Sequence, residues 1–377
     1  MKYILCATLL LLLCLPTRSV SQVTRWHLPT GAIQPQAVTD WKGGVHIIYF
    51  QGKDTGGNLF YIQILSNQNR PSDPIRINSE PNTAGAIGTV RTAHIAIGKG
   101  NSVHVVWNGF GKRKTGEATT YQAYTRLNNT HTAFEPQRNL ITWAEGLDGG
   151  GSVTADKVGS VYVVWHAMGS GKNEASRGVF LTRSTDDGAT FEKERQINPE
   201  PTGACACCGL RAFVDSSGDL SILYRRAKEG EYRDTMLLTS KDKGATFLER
   251  SLAGWKINAC PMSTYTMSES SGKTLAAWET AGRIQWGVFS NTSSYTARTV
   301  PTSKEVQKHP VILANAKGQL LIVWTEGTGW QKGGSLVWQV YEADGKPTKQ
   351  SGRAEGVPVW GLPTAYARPD GGFVIIY

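Results

Sequence analysis

Residues 101–107, NSVHVVW, decide the fold, because their pattern recurs along the whole chain. Turn residues come first, a short run rich in apolar and β-branched residues follows, and an aromatic residue ends the run. Successive terminal aromatics lie 46 to 59 residues apart. The other copies are GGVHIIY (43–49), GSVYVVW (159–165), GDLSILY (218–224), KTLAAW (273–278), GQLLIVW (318–324) and GGFVIIY (371–377).

Each copy follows another apolar segment across a short turn, which is typical of a β-hairpin. A third and a fourth strand come after the hairpin, as in GVFLTRS (178–184) and KERQIN (193–198). Four antiparallel strands in a repeat of about 50 residues predict an all-β fold, a β-propeller. Seven hairpins predict seven blades, with a six-bladed ring plus one accessory hairpin as the alternative. The last hairpin ends at Tyr377, so we expect the N-terminal segment 23–29, VTRWHLP, to complete that blade.

The first 21 residues have the features of a secretory signal peptide. Lys2 precedes an apolar run from Ile4 to Leu15, and small residues around Ser19 and Ser21 suit cleavage before Gln22. We therefore predict a signal peptide at 1–21, a single propeller domain at 22–377, and a secreted or periplasmic location. The run is too short to span a membrane.

The chain is basic, and this charge favours anionic partners. Its net charge is +10, and loss of Lys2 and Arg18 with the signal peptide lowers the charge to +8. The chain contains no run of five or more basic residues, so its sequence does not indicate a nucleic-acid site. We expect a monomer that binds an anionic glycan or glycoconjugate.

Two turns between third and fourth strands are near copies of each other. STDDGATF (184–191) and SKDKGATF (240–247) both fit Ser-x-Asp-x-Gly-x-Thr-aromatic. The aspartate accepts backbone hydrogen bonds, the glycine permits a positive φ, and the aromatic packs between sheets. The pattern residues are Ser184, Asp186, Gly188, Thr190 and Phe191 in the first copy, and Ser240, Asp242, Gly244, Thr246 and Phe247 in the second.

These boxes and the blade repeat resemble the sialidase and Asp-box (BNR repeat) propeller superfamily. The resemblance covers the mature chain and implies a sialidase-type propeller and activity as an exo-glycosidase. Its glycosidases hold a substrate carboxylate with three arginines, use a tyrosine–glutamate pair as nucleophile, and use an aspartate as acid and base. The family's Arg-Ile-Pro motif is missing, because the first inner strand reads AIQPQAVTD (32–40). Arg91 and Arg211 begin inner strands and are candidate carboxylate contacts, and Tyr366 stands where sialidases place their tyrosine.

The residue after each terminal aromatic varies, which is typical of a site built on a repeated scaffold. This position holds Phe50, Asn108, His166, Arg225, Glu279 and Thr325. We predict that it rings the channel mouth together with Asp148, which lies on a loop that enters an inner strand. The candidate catalytic residues are therefore Asp148, His166, Glu279 and Tyr366, and the candidate substrate-binding residues are Asn108, Arg91, Arg211 and Arg225.

Four cysteines remain in the mature chain: Cys205, Cys207, Cys208 and Cys260. Both segments precede inner strands of adjacent blades, so the sequence predicts that they meet at the channel mouth. Secretion favours two disulfides, for example Cys205 with Cys260 and Cys207 with Cys208. A thiolate site for Cu(I) and an exchanging redox centre are the alternatives.

Three functions remain open at this stage. The chain is a secreted sialidase-like propeller that binds an anionic glycan and hydrolyses it, a propeller that binds a glycan or a protein without turnover, or a copper-binding propeller. No cofactor is expected under the first two, and copper belongs to the third.

Overall fold

A computed structural model describes residues 22–68, 70–90, 93–112, 118–168, 174–289 and 295–377. The predicted signal peptide at 1–21 and the candidate Arg91 lie outside these residues. Seven small sheets account for the strands of the described residues, and two short 3₁₀ helices, Lys99–Asn101 and Glu174–Ser176, join strands. No helix in these ranges is both long and apolar enough to cross a bilayer.

Six blades are four-stranded antiparallel sheets whose strands follow one another from the axis outwards. The first two blades comprise β2 (Ala32–Thr39), β3 (Val45–Lys53), β4 (Gly56–Ile64) and β5 (Ile75–Arg76), then β6 (His94–Ile97), β7 (Val103–Lys112), β8 (Ala118–Arg126) and β9 (Arg138–Asn139). The third and fourth comprise β10 (Ser152–Ala155), β11 (Val161–Met168), β12 (Arg177–Ser184) and β13 (Arg195–Gln196), then β14 (Arg211–Val214), β15 (Leu220–Arg225), β16 (Thr235–Ser240) and β17 (Leu248–Ala253). The fifth and sixth comprise β18 (Tyr265–Ser270), β19 (Lys273–Thr280), β20 (Arg283–Phe289) and β21 (Arg298–Thr299), then β22 (Gln307–Ala314), β23 (Leu320–Glu326), β24 (Gly334–Tyr341) and β25 (Pro347–Val357).

The seventh blade closes the ring with the N-terminal strand, as the sequence predicts. Its strands run in the order β26 (Thr364–Ala367), β27 (Phe373–Ile376) and β1 (Val23–Trp26). β1 pairs with β27 in parallel register, with Val23 opposite Phe373. Each inner strand contacts the inner strands of both neighbouring blades around a complete circuit, so seven blades form the ring and the six-bladed alternative is wrong.

The terminal aromatics of the second strands form the core between blades. The side chains of Trp107, Trp165, Trp278 and Trp324 are at most 2% exposed. Burial of one large apolar side chain contributes about 1.5–3 kcal/mol, so this repeated position is a major source of stability. The aromatic that identifies the repeat in the sequence is therefore a packing residue.

The two Asp-box turns have the same pattern of hydrogen bonds, and both lie at the end of the ring where second strands begin. In the first copy, Asp186 accepts hydrogen bonds from the backbone N–H (2.9 Å) and hydroxyl (2.6 Å) of Thr190, and Ser184 Oγ accepts from the N–H of Gly188. Gly188 has φ +78°, a backbone conformation in which a residue with a side chain would be strained. Asp242 makes the equivalent bonds to Thr246 in the second copy.

Candidate functional site

A central cavity of about 730 Å³ runs along the propeller axis and is lined by the inner strands of all seven blades. Gln36, His94, Arg211, His309 and Tyr366 lie on its wall. Gln36, His94 and Arg211 lie towards the end of the cavity where inner strands begin. This is the mouth that the repeat predicts.

Arg211 is the first residue of β14 and lies half-buried on the cavity wall. Its Nη1 donates to Gln36 Oε1 (3.3 Å) and to His94 Nδ1 (3.1 Å), and its buried Nε has no hydrogen-bond partner among the residues that the structure describes. No salt bridge joins Arg211 to a carboxylate within the described ranges. Burial lowers the pKa of Arg211 to about 10, and the guanidinium keeps its charge at neutral pH.

His94 orients Arg211 as a neutral imidazole. Its Nδ1 also lies 3.2 Å from Ser152 Oγ, and because Arg211 can only donate, Nδ1 is an acceptor and the ring proton belongs on Nε2. Burial first, and the charge of Arg211 second, hold the pKa of His94 well below its usual range. At the mouth, the positive charge of Arg211 is therefore held by the neutral groups Gln36 and His94.

A second signal in the repeat identifies these residues. Gln36, His94, Ser152 and Arg211 each stand thirteen positions before the terminal aromatic of their blade. Reading that position around the ring adds Tyr265, Val311 and Thr364. Sequence reasoning missed Gln36 and His94 because it read the position after the aromatic.

The residues after the aromatics lie behind the cavity wall. Asn108, His166, Arg225 and Glu279 are at most 1% exposed, and none of them lines the cavity. The predicted ring is therefore a packing layer between loops. Its members do not share the cavity surface with Tyr366.

Arg225 is held entirely by protein groups. Its Nε donates to Ser263 Oγ (2.8 Å), its Nη2 donates to the carbonyl of Glu279 (2.5 Å), and its Nη1 donates to the carbonyl of Arg233. The guanidinium also lies over the ring of Trp255, 4.9 Å from the centroid. These contacts give Arg225 the geometry of a structural link between loops.

Glu279 forms a buried ion pair with Lys308. Lys308 Nζ lies 3.1 Å from one carboxylate oxygen of Glu279 and donates to the carbonyl of Pro261 (2.7 Å). Burial raises the pKa of Glu279, and the charge of Lys308 opposes that rise. Tyr366 lies on the cavity wall, where burial raises the pKa of its phenol.

Asn108 supports the loop that carries Asp148, and His166 is buried without a hydrogen-bonding role of its own in the described residues. Asn108 Nδ2 donates to the carbonyls of Asp148 and Gly149, each 3.1 Å away. Burial lowers the pKa of His166 to about 4, with a smaller contribution from Arg177. His166 is therefore a neutral buried imidazole at pH 7, and within the described part of the chain neither of its ring nitrogens has a hydrogen-bond partner.

The two cysteine segments lie next to each other, and neither predicted disulfide is present in the structure. All four cysteines are free thiols, and the exposed Cys260 stays apart from a buried group of Cys205, Cys207 and Cys208. Cys205 Sγ lies 3.0 Å from Cys208 Sγ and 3.4 Å from Cys207 Sγ. A tight turn folds this segment back on itself, closed by the N–H of Cys208, which donates to the carbonyl of Cys205.

Neither a protein-family model nor the sequence of a curated protein matches the chain. Solved structures do match. A Hadza microbial sialidase has a TM-score of 0.51 at 16% identity, covering 83% of this chain and 69% of the sialidase. A polysaccharide lyase, an ulvan lyase, has a TM-score of 0.54 at 11% identity, covering 89% of this chain and 87% of the lyase. An α-L-arabinanase from Penicillium chrysogenum has a TM-score of 0.56 at 10% identity, covering 86% and 98%.

At these identities the likeness concerns the fold alone. Together with the seven sheets and their closure by β1, it identifies the chain as a seven-bladed β-propeller with a sialidase-like fold.

Proposed function

We propose that this protein binds an anionic glycan, carboxylated or sulfated, in the central cavity through Arg211. The observation that carries the proposal is the pairing of Arg211 with the neutral acceptors Gln36 and His94 on the cavity wall. A guanidinium that has paid its desolvation without a carboxylate partner gains strongly from a ligand anion.

The size and lining of the cavity suit a sugar. About 730 Å³ is within the range of small-molecule sites. Thr264, His309 and Tyr366 add hydroxyl and ring groups to the wall around Arg211. The similar structures include, by name, a sialidase, an ulvan lyase and an arabinanase, and a glycan ligand for this chain agrees with them.

Location and family are part of the same proposal. We infer that residues 1–21 direct the chain out of the cytoplasm, where free polysaccharides and glycoconjugates are available as ligands. The two Asp boxes support membership of the Asp-box propeller superfamily, as a divergent member without the Arg-Ile-Pro motif.

Binding without turnover fits the contacts better than sialidase-type hydrolysis. A tyrosine nucleophile needs a carboxylate partner at the same surface, and Glu279 is engaged by Lys308 behind the wall that carries Tyr366. Asp148 does not line the cavity either. The copper alternative concerns a different set of residues and does not compete with the cavity.

Calorimetric titration with matched sugars tests the proposal. Sialyllactose, a glucuronate-containing oligosaccharide and a sulfated oligosaccharide are compared with lactose as the neutral ligand. We expect at least one anionic ligand to bind, and Arg211→Gln to weaken it by about tenfold or more, since a lost charge-assisted contact costs about 1.4 kcal/mol or more.

Arg76→Gln is the matched control, because Arg76 is exposed on the outermost strand of the first blade. It should leave the affinity unchanged. Equal affinity for neutral and anionic sugars, or a loss in both variants, would contradict the role of Arg211. Turnover of a fluorogenic sialoside that disappears in Tyr366→Phe would replace binding by hydrolysis.

A further inference from the structure

The turn 205–208 gathers three thiols into one compact group. The Sγ atoms of Cys205, Cys207 and Cys208 all lie within 4.8 Å of one another. Cys205 and Cys208 are 0% exposed, and Cys207 is partly exposed. The group therefore has two protected members and one member that a ligand can reach.

The spacing of the sulfurs suits a single metal ion. Metal–thiolate bonds are about 2.3 Å long, so three sulfurs around one ion lie about 4 Å apart. The distances from Cys205 Sγ to the sulfurs of Cys208 (3.0 Å) and Cys207 (3.4 Å) need to open by about 1 Å or less to reach that value.

Positive charge and hydrogen bonds surround the sulfurs. Arg225 acts electrostatically on Cys208, and Arg233 acts on Cys205. Ser263 Oγ accepts a hydrogen bond from Arg225 Nε (2.8 Å) and donates one to Cys208 Sγ (3.5 Å). The N–H of Cys205 donates to the carbonyl of Arg225 (2.8 Å), which fixes the turn against β15. Such outer contacts orient metal ligands and compensate their charge.

The number and the softness of the ligands distinguish Cu(I) from Zn²⁺. Among the described residues, the three thiols form a group of possible metal ligands within 4.8 Å of one another. His166 is not part of this group. Structural Zn²⁺ sites have four protein ligands, and catalytic Zn²⁺ sites have three protein ligands and a water. Thiolates suit both Zn²⁺ and Cu(I), and a set of three thiolates without histidine or carboxylate favours the softer Cu(I).

We propose that Cys205, Cys207 and Cys208 bind one Cu(I) ion through their three sulfurs. Each thiol releases its proton to solvent as its Cu–S bond forms, and the oxidation state of copper does not change. The product carries a net charge of −2 on the ion and its ligands, which Arg225 and Arg233 compensate. The partly exposed Cys207 provides the route by which the ion exchanges, as expected of a site that acquires and releases copper.

Anaerobic titration of the reduced full chain with Cu(I), buffered by a chromophoric Cu(I) chelator, tests the proposal. We expect one Cu(I) per chain, a sulfur-to-copper charge-transfer band in the ultraviolet, and three sulfur neighbours by X-ray absorption spectroscopy. A parallel titration with Zn(II) should give markedly weaker binding.

Cysteine variants locate the site. Cys207→Ser should weaken Cu(I) binding by at least about tenfold, since even the loss of an outer-shell contact costs that much. Cys208→Ser should do the same, and Cys207→Ser keeps the test valid if the buried variant fails to fold. Cys260→Ser is the matched control and should bind as tightly as the parent chain.

Three outcomes would overturn the proposal: no bound copper after full reduction, tighter binding of Zn(II) than of Cu(I), or affinity that depends on Cys260. The glycan proposal is unaffected by these outcomes, because Arg211 is not part of the copper group.

Discussion

The Nη1 atom of Arg211 lies 3.1 Å from Nδ1 of His94, and this contact joins the first residue of the fourth inner strand to the first residue of the second. Gln36 of the first blade accepts from the same nitrogen, and Ser152 of the third blade lies against the same imidazole. Four blades thus converge on one cation. The mouth of the cavity is therefore built from inner-strand residues at one repeated position.

The first prediction concerns the acceptor that His94 provides. His94→Met removes it and leaves a buried guanidinium N–H with a poorer set of partners, whereas His94→Gln keeps an amide oxygen in a side chain of similar length. We expect the Met variant to lose about 1–3 kcal/mol more unfolding free energy than the Gln variant. Urea denaturation at pH 7 measures the difference. Equal unfolding free energies of the two variants would show that the Arg211–His94 contact does not contribute to stability.

The second prediction concerns the buried imidazole of His309. Burial first, with Lys308 in addition, lowers its pKa to about 3 from an ordinary value of 6.5. Between these values the unfolded chain binds a proton that the folded chain does not, so the stabilising contribution is complete above pH 6.5 and is lost as the pH falls. His309→Asn should flatten the decline in stability between pH 6.5 and pH 4.5, by up to about 1.4 kcal/mol per pH unit.

Asn suits this position because residue 309 has φ +52°, a conformation that Asn tolerates. Unfolding free energies at the two pH values, for the parent chain and the variant, give the slopes. Parallel slopes would mean that His309 is protonated in the folded protein as readily as in the unfolded one.

The third prediction concerns the Asp box. Asp186→Ala removes the acceptor for the backbone N–H and the hydroxyl of Thr190. The turn is solvent-exposed, so we expect a modest loss of about 1 kcal/mol of unfolding free energy and unchanged ligand binding. The exposed neighbour Thr185→Ala is the control, and a loss of binding without a loss of stability would contradict a purely structural role for this box.

The fourth prediction concerns ring closure. A chain that begins at Thr30 lacks β1 and also Leu28, which is 9% exposed in the closed ring. We expect a loss of more than about 3 kcal/mol from lost apolar burial, and self-association through the exposed edge of β27. Size-exclusion chromatography and thermal unfolding compare it with a chain that begins at Gln22. A monomer of equal stability would show that the two strands β26 and β27 suffice for the seventh blade.

The fold could be predicted from the sequence because its signal is repeated seven times. The second strands end in aromatics such as Trp107 and Trp165, which are buried between blades, and the N-terminal segment was the piece left to complete the last blade. The site was harder to predict, because most inner strands are short and carry little pattern of their own. Position after the aromatic predicts Arg225 and Glu279 as site residues, yet the second strand directs both into the layer behind the wall.

The cysteines show the same limit. Spacing along the chain brings Cys260 into the right region, and Ser263 of that segment does contact Cys208. The spacing of the cysteines along the chain does not show that a turn brings Cys208 onto Cys205 and leaves Cys260 exposed. A local backbone conformation decided the outcome.

The fifth prediction separates a structural role of Glu279 from a catalytic one. Glu279 is 1% exposed and its carboxylate pairs with Lys308, so removal of one partner leaves the other charge buried without compensation. Glu279→Gln alone and Lys308→Met alone should each cost about 3–5 kcal/mol of unfolding free energy. In the double variant Glu279→Gln/Lys308→Met, no unpaired charge remains, and we expect most of that loss to be recovered.

A double-mutant cycle by chemical denaturation measures the coupling. Additive losses, with no recovery in the double variant, would show that Glu279 acts on something other than Lys308 and would restore it as a candidate for chemistry at the cavity.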